Sequence, residues 1–133
     1  MTATQSRALK LLFATSGVIV LAAIAMLGAI RYTAANAADE TRACNHEHEN
    51  VQRALSAYMA ANNLASVPTS DGTDDMIAPV LLYNRHPTAA DPTFIATSRT
   101  LWGYGWNSKG TITIIETGSS GHSVPVGCKP DDI

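Results

Sequence analysis

A run of 20 residues without a single charge, Leu11–Ile30, constrains this chain more than any other feature of its sequence. As a helix the run would be about 30 Å long, which matches the hydrocarbon thickness of a bilayer. Arg7 and Lys10 precede the run, and no acidic residue does. Because basic flanks stay in the cytoplasm, the sequence predicts a single-pass membrane protein with a cytoplasmic N-terminus and an exported remainder.

The charge of the exported part limits its partners. From residue 31 onward the chain carries seven basic and eleven acidic residues, a net charge of −4. Nucleic-acid-binding domains present clustered basic residues, and attraction to anionic membrane surfaces also needs a basic patch. Neither feature is present, so no nucleic acid partner is expected.

The apolar run continues into a second helical segment of a different kind. Residues 9–63 contain no proline, and strong helix formers dominate Ala34–Ala61. Apolar residues there recur at steps of three and four, which places them on one face of an amphipathic helix: Cys44, Val51, Ala54, Leu55, Tyr58 and Met59. The helix is predicted to end at Asn62-Asn63, because asparagine tolerates the left-handed cap conformation.

The middle of the chain is predicted to be mostly irregular. The segment SVPTSDGTDD, residues 66–75, is rich in turn-forming residues. Met76–Tyr83 is apolar and predicts a short helical turn around its proline, while Arg85–Pro92 is loop-like. Thr93–Thr97 has the composition of a short strand.

The pattern changes to a strand period near the end of the chain. Trp102–Trp106 alternates aromatic residues with glycine, and Thr111–Thr117 is rich in β-branched residues. Asn107–Gly110 between them predicts a tight turn, so the two segments form a β-hairpin. The fold class is therefore predicted as α+β, with a long helix packed on a small antiparallel sheet. The aromatic residues are interpreted as core, with a ligand-binding platform as the alternative.

The segment ETRACNHEHENVQRAL is rich in possible metal ligands. His46 and His48, two residues apart, point about 200° apart on a helix and cannot share a metal. Cys44 with His48 and His46 with Glu49 share faces, but two ligands make only a weak site. The histidine and glutamate run is therefore interpreted as the solvated side of the helix, with an ion pair between Glu49 and Arg53. No catalytic constellation, metal site or cofactor is predicted.

An acidic segment leaves calcium binding open. Asp71, Asp74 and Asp75 lie in a glycine-containing stretch that supplies oxygen ligands. Their spacing does not match an EF-hand loop.

Cys44 and Cys128 are the two cysteines of the chain, and both lie in its exported part. Thiols tend to pair in oxidising compartments, which predicts a Cys44–Cys128 disulfide. Two unpaired buried thiols are the alternative.

The N-terminus also has a second interpretation, as a cleavable secretory signal. Ala35-Asn36-Ala37 matches an A-x-A cleavage site, and cleavage between Ala37 and Ala38 would release a soluble domain. The apolar run is longer than the ~7–15 residues usual for a signal core. A retained stem helix is therefore favoured, and a secreted soluble binding domain is the alternative function.

The segment CNHEHENVQRALSAYMAANNLASVP, residues 44–68, carries a more specific pattern. It contains a cysteine, then V-x-x-A-x-x-A-Y, an asparagine-containing end and a proline. This pattern, with the single N-terminal helix, the late strand pair and the C-terminal Cys128, resembles a pilin-like subgroup among type IV pilins and the pseudopilins of type II secretion.

The resemblance implies an organisation and a role. Residues 1–8 would be a basic leader, 9–33 the transmembrane or filament-core half of a stem helix, and 34–133 the exported pilin-like domain. The function implied is that of a structural subunit of a type IV pilus or secretion filament. Its partners would be identical or different pilin subunits, the inner membrane and the pilus assembly machinery. The subunit would reside in the inner membrane first and in an extracellular filament at the cell surface afterwards.

The resemblance also implies a processing site. Arg7-Ala8-Leu9 stands where the family has a basic residue, glycine and phenylalanine, which places cleavage between Ala8 and Leu9. Gly17 and Val18 offer a second register. Phe13 stands near the place of the family's early glutamate, which suggests a minor subunit rather than the major one.

Overall fold

The computed structural model describes residues 36–130 of the chain. The predicted leader (1–8), the membrane half of the stem (9–33) and the processing positions Ala8–Leu9 and Gly17–Val18 lie outside the described residues. Within the described part, no helix is both long and apolar enough to cross a bilayer. Residues 39–130 belong to one unit, and the site described below lies entirely within it.

One helix and one sheet make up the regular structure of the described residues. Helix α1 occupies residues 36–61, and the strands are β1 (Ser70–Asp75), β2 (Arg99–Trp106) and β3 (Ile112–Thr117). The sheet has the order β1-β2-β3, and both neighbouring pairs are antiparallel. The α+β class predicted from the sequence is therefore confirmed at this level.

Helix α1 ends where the asparagine pair predicted its end. The amide of Leu64 donates to the carbonyl of Met59 at 2.9 Å, and the amide of Asn63 donates to that of Ala60 at 3.2 Å. Asn63 has a φ of 51°, the left-handed conformation that asparagine adopts more readily than most residues. These bonds form a Schellman cap, which satisfies carbonyls that the helix itself cannot pair.

The predicted hairpin is present as β2 and β3, with Tyr104 opposite Ile115 and Gly103 opposite Glu116. Asn107 organises the turn, since its Oδ1 accepts hydrogen bonds from the amides of Lys109 and Thr111. Gly110 has a φ of +73°, which strains residues with a side chain. The turn chemistry visible in the sequence therefore sets the register of this hairpin.

The segment 66–75, predicted as turns, instead contributes the strand β1, so that prediction is wrong. Gly105 of β2 explains how so polar a segment joins the sheet. A Cβ atom at Gly105 would lie 3.0 Å from the carbonyl oxygen of Ser70. The glycine thus allows the β1 backbone to approach β2 closely, and Ser70 Oγ donates to the carbonyl of Tyr104 at 3.3 Å.

Two further predictions for the middle of the chain are wrong. Met76–Tyr83 forms no helical turn, since the amides of Leu82 and Tyr83 both donate to the carbonyl of Met76, six and seven residues earlier. Thr93–Thr97 forms no strand. The amides of Phe94 and of its neighbour Ile95 both donate to the carbonyl of Leu82, whereas successive amides of a strand point in opposite directions.

The core consists of the apolar face of α1, the inner face of the sheet and side chains from the connecting loops. Its buried members are Cys44, Val51, Ala54, Leu55, Val67, Met76, Val80, Leu82, Trp102, Tyr104, Trp106, Ile112 and Cys128. The indole N–H groups remain bonded, from Trp102 to Ser123 O and from Trp106 to Pro68 O. The aromatic strand is therefore core, as predicted.

The two cysteines form the predicted disulfide, with their Cα atoms 5.9 Å apart. It joins α1 to the end of the chain across a separation of 84 residues. Next to it, the hydroxyl of Thr41 donates to the carbonyl of Val126 at 3.0 Å. The C-terminal segment is thus fixed to the same helix that the hairpin covers.

Candidate functional site

Glu47 of α1 is the most highly connected polar side chain at the contact between helix and sheet. Its Oε1 accepts from the amide of Leu101 at 3.0 Å, from the amide of Trp102 at 3.2 Å and from the hydroxyl of Tyr104 at 3.1 Å. Its Oε2 also accepts from the amide of Leu101, at 3.1 Å. One carboxylate of the helix therefore holds three donors of β2.

An irregularity of the sheet creates the place for this carboxylate. From the pair Thr73–Tyr104 to the pair Asp75–Arg99, β1 covers two residue steps while the antiparallel β2 covers five. Such a bulge interrupts the ladder of backbone hydrogen bonds. The amides of Leu101 and Trp102 lie in this interrupted stretch and donate to Glu47. The carboxylate thus replaces a strand as their acceptor.

The electrostatics of the contact follow from its burial. Burial raises the pKa of Tyr104, and the nearby charge of Glu47 and the hydrogen bond to its carboxylate raise it further. Tyr104 is fully buried and therefore stays a neutral hydroxyl donor at every physiological pH. An ionised carboxylate suits this site because hydrogen bonds to charged acceptors are stronger than those between neutral groups.

Gln52 connects α1 to the edge of the sheet that β3 forms. Its Nε2 donates to the carbonyl of Gly110 at 2.7 Å, and its Oε1 accepts from the amide of Ile112 at 2.9 Å. The side-chain carboxamide thus pairs with the start of β3 as a peptide group of a neighbouring strand would. Because β3 is an edge strand, this pairing occupies backbone groups that would otherwise be open to another chain.

The interpretation of the histidine and glutamate run as the solvated side of the helix is only partly right, because His48 is buried. His48 is only 6% exposed and stacks on Tyr104, with ring centroids 6.4 Å apart. Glu47 is half-buried, whereas His46 and Glu49 are exposed. The sequence did contain a signal for His48, since it lies four residues after Cys44 and three before Val51, on the apolar face.

A groove lies beside Glu47, between α1 and the segment that leads into β2. Its volume is about 440 Å³, and it is lined by Ala43, His46, Glu47, Asn50, Arg53, Phe94, Ile95, Ala96, Thr97 and Thr100. We call it the side groove. The predicted ion pair between Glu49 and Arg53 is absent, since no Glu49–Arg53 contact is among the salt bridges of residues 36–130. Arg53 instead donates to Asn50 Oδ1 at 3.4 Å.

The acidic segment considered for calcium serves the protein's own structure. Asp74 accepts from the hydroxyl and the amide of Ser119 and forms a 3.2 Å salt bridge with Arg99. The hydrogen bond from the Ser119 side chain is the main reason that the pKa of Asp74 is lowered. Asp75 Oδ1 accepts from the amide of Ile77. In the described part of the chain, no group of three or more acidic, histidine or cysteine side chains is placed to hold a metal ion.

Of the predicted processing positions, Ala37 and Ala38 alone fall in the described residues, where both are part of α1 and exposed. Known proteins add no information about the site. No protein-family model matches the chain, and no characterised protein or solved structure shows a detectable match to it. The function is therefore inferred from the chain's own residues.

Sequence reasoning missed the roles of Glu47 and Gln52. Both polar residues flank the apolar stripe of α1, a position that is usually solvated. Apart from the hydroxyl of Tyr104, their partners are backbone groups of β2, of the turn and of β3, which leave no mark in the sequence. The one available signal is that a Glu and a Gln border the stripe on opposite sides, five residues apart.

Proposed function

We propose that this protein is a structural subunit of a type IV pilus or a related secretion filament, assembling through its N-terminal helix. The observation that carries the proposal is the two-sided character of α1. One face is fixed to the sheet and the C-terminal segment, and the opposite face is open. In the sequence, the uncharged run Leu11–Ile30 comes before this helix.

The open face of α1 has the composition expected of a packing surface for other helices. Arg42, Glu49, Arg53, Ala57 and Ala60 are all exposed along it. Small residues allow close approach, and mixed charges allow pairing between neighbouring subunits without strong net repulsion. The covered part of α1 runs from Cys44 to Met59, and the cap at Asn63 ends the helix just beyond it.

The energetics support assembly after a membrane-bound stage. A run of 20 apolar residues buried among similar helices would remove on the order of 1,000 Å² from water, or tens of kcal/mol at about 25 cal/mol per Å². Lipid already provides most of this gain before assembly, so the net gain from helix packing is much smaller. Extraction from the membrane would therefore need an energy-driven machine.

Surface filaments sheared from cells that make the protein provide the test. We expect the protein to co-sediment with them, and expect Ala57→Arg with Ala60→Arg to lower its incorporation at least tenfold. Thr113→Arg, at an exposed position on β3, is the matched control and should be incorporated normally. Recovery of the wild-type protein only in the soluble medium would contradict the proposal.

A secreted soluble binding domain is the second candidate, and one observation favours it. The unit that contains the core and the side groove begins at Asp39, next to the signal-like Ala37–Ala38 junction. Cleavage there would leave the disulfide, Glu47 and Gln52 in place. This candidate predicts free protein in the medium with Ala38 as its first residue.

A further inference from the structure

The side groove contains a cation and a histidine whose donors are largely unused. Within residues 36–130, Arg53 forms one hydrogen bond, to Asn50 Oδ1 at 3.4 Å, although a guanidinium offers five N–H groups. His46 Nδ1 lies 3.3 Å from Asn50 Nδ2. If this nitrogen accepts from the amide, the opposite nitrogen of His46 is a donor. Two donors thus lie on the helix side of the groove, with Asn50 between them.

The opposite wall of the groove is apolar and held in place. Phe94 packs edge-on against Tyr58, with ring centroids 5.7 Å apart. The amides of Phe94 and Ile95 both donate to the carbonyl of Leu82, and these residues are half-buried against the core. Ala43 and Ala96 complete the apolar lining. The wall is therefore preformed rather than assembled by a ligand.

The two ends of the groove differ in charge, with the negative Glu47 at one end and the positive Arg53 at the other. Glu47 and Arg53 are six residues apart, or about 9 Å along the helix axis. Both oxygens of Glu47 already accept hydrogen bonds from β2, so this carboxylate is part of the protein's own structure. An anionic group is repelled from the Glu47 end and attracted to the Arg53 end, and an apolar body fits against Phe94 and Ile95.

We infer that the side groove binds a small monocarboxylate with an apolar or aromatic body. The carboxylate lies against Arg53 and His46, and the body lies on the wall formed by Phe94 and Ile95. The volume of about 440 Å³ falls within the ~300–1,000 Å³ range of small-molecule sites. Arg53 is suited to the carboxylate because its planar guanidinium matches the two oxygens. Every residue of this site belongs to one chain, so binding does not require a filament.

Phenylacetate is a suitable probe, with phenylacetamide as its uncharged counterpart. Binding is measured by amide chemical shifts of the isotope-labelled full chain in zwitterionic detergent micelles. We expect saturable shifts at Ala43, Asn50 and Thr97 in the millimolar range, and at least tenfold weaker binding of phenylacetamide. Arg53→Gln should weaken phenylacetate binding at least tenfold. Arg42→Gln is the matched control, because Arg42 is exposed on the same helix and pairs with Asp39, and it should bind normally.

Several results would overturn the inference. Equal binding of phenylacetamide would show that the carboxylate is not recognised. Unchanged binding of phenylacetate by Arg53→Gln would show that Arg53 does not contact the carboxylate. Absence of saturable shifts in the wild type would exclude the site. Groove shifts that depend on protein concentration without phenylacetate would show that a second copy occupies the groove instead.

Discussion

Glu47 and Gln52 connect the same helix to the same sheet, but they bond to different sets of donors and acceptors. Glu47 is a charged acceptor for three donors in an irregular stretch of the central strand β2. Gln52 is a neutral donor and acceptor that pairs with the carbonyl of Gly110 in the turn and with the amide of Ile112 in the edge strand β3. A carboxylate suits the first position because only donors face it, and a carboxamide suits the second because one donor and one acceptor face it.

The difference teaches which property each position requires. At residue 47 the charge matters, since an amide group would present its own N–H to the N–H groups of β2. At residue 52 the complementary pattern matters, since a carboxylate would place a negative oxygen opposite the carbonyl of Gly110. Exchanging the two chemistries should therefore destabilise the protein at both sites.

Removing the disulfide tests whether these two contacts hold the helix without a covalent link. The double substitution Cys44→Ser and Cys128→Ser should lower the free energy of unfolding by about 4–5 kcal/mol, because the unfolded chain regains the freedom of a loop of roughly 85 residues. Urea unfolding of the full chain in micelles, followed by the fluorescence of the buried Trp102 and Trp106, measures this loss. A loss below about 1 kcal/mol would show that α1 and the C-terminal segment are held mainly by noncovalent contacts.

Replacing Glu47 should give the next largest effect. Glu47→Ala leaves two amides and a buried hydroxyl without their acceptor, and we expect a loss of about 3 kcal/mol in the free energy of unfolding. Glu47→Gln should lose about 2 kcal/mol, since one acceptor oxygen remains. Glu49→Gln removes a charge from an exposed position of the same helix and serves as the matched control. Equal losses for Glu47→Gln and Glu49→Gln would refute the role of the Glu47 charge.

Replacing Gln52 should have a smaller effect, because both of its bonds join neutral groups. Gln52→Ala should lose about 1–2 kcal/mol, and Gln52→Glu should lose at least as much despite its similar shape. The same urea unfolding experiment measures both. A Gln52→Glu variant as stable as the wild type would show that pairing with Gly110 contributes nothing.

The regions that could be predicted from the sequence are those with a regular residue spacing or with residues typical of a cap or turn. The face of α1 was predictable from its apolar steps, the end at Asn63 from asparagine, and the β2–β3 hairpin from alternation and turn residues. The strand β1 was not predictable, because Ser70–Asp75 has the composition of a turn and joins the sheet only where Gly105 admits its backbone. The contacts of Glu47 depend on the irregular pairing of β2 with β1, a long-range feature with no local sequence signal.

The smallest expected effect is the pH dependence of stability that arises from Tyr104, next to Glu47. The pKa of Tyr104 is raised in the folded protein, so the unfolded state releases this proton near pH 10 while the folded state keeps it. This contribution to stability is complete below pH 10 and is lost as the pH rises above it, at up to about 1.4 kcal/mol per pH unit. Urea unfolding between pH 9 and 11 should show a shallower decline for Tyr104→Phe than for the wild type, and parallel declines would contradict the assignment.

The mass of the mature protein purified from its native membrane or from surface filaments tests the central claim most directly. A filament subunit that assembles through its N-terminal helix should begin at Leu9 or Val18 and so keep all or most of residues 9–33. A protein that begins at Ala38 would have lost the helix on which assembly depends, and an uncut chain would be a membrane-anchored monomer. Either of these two results would contradict the account.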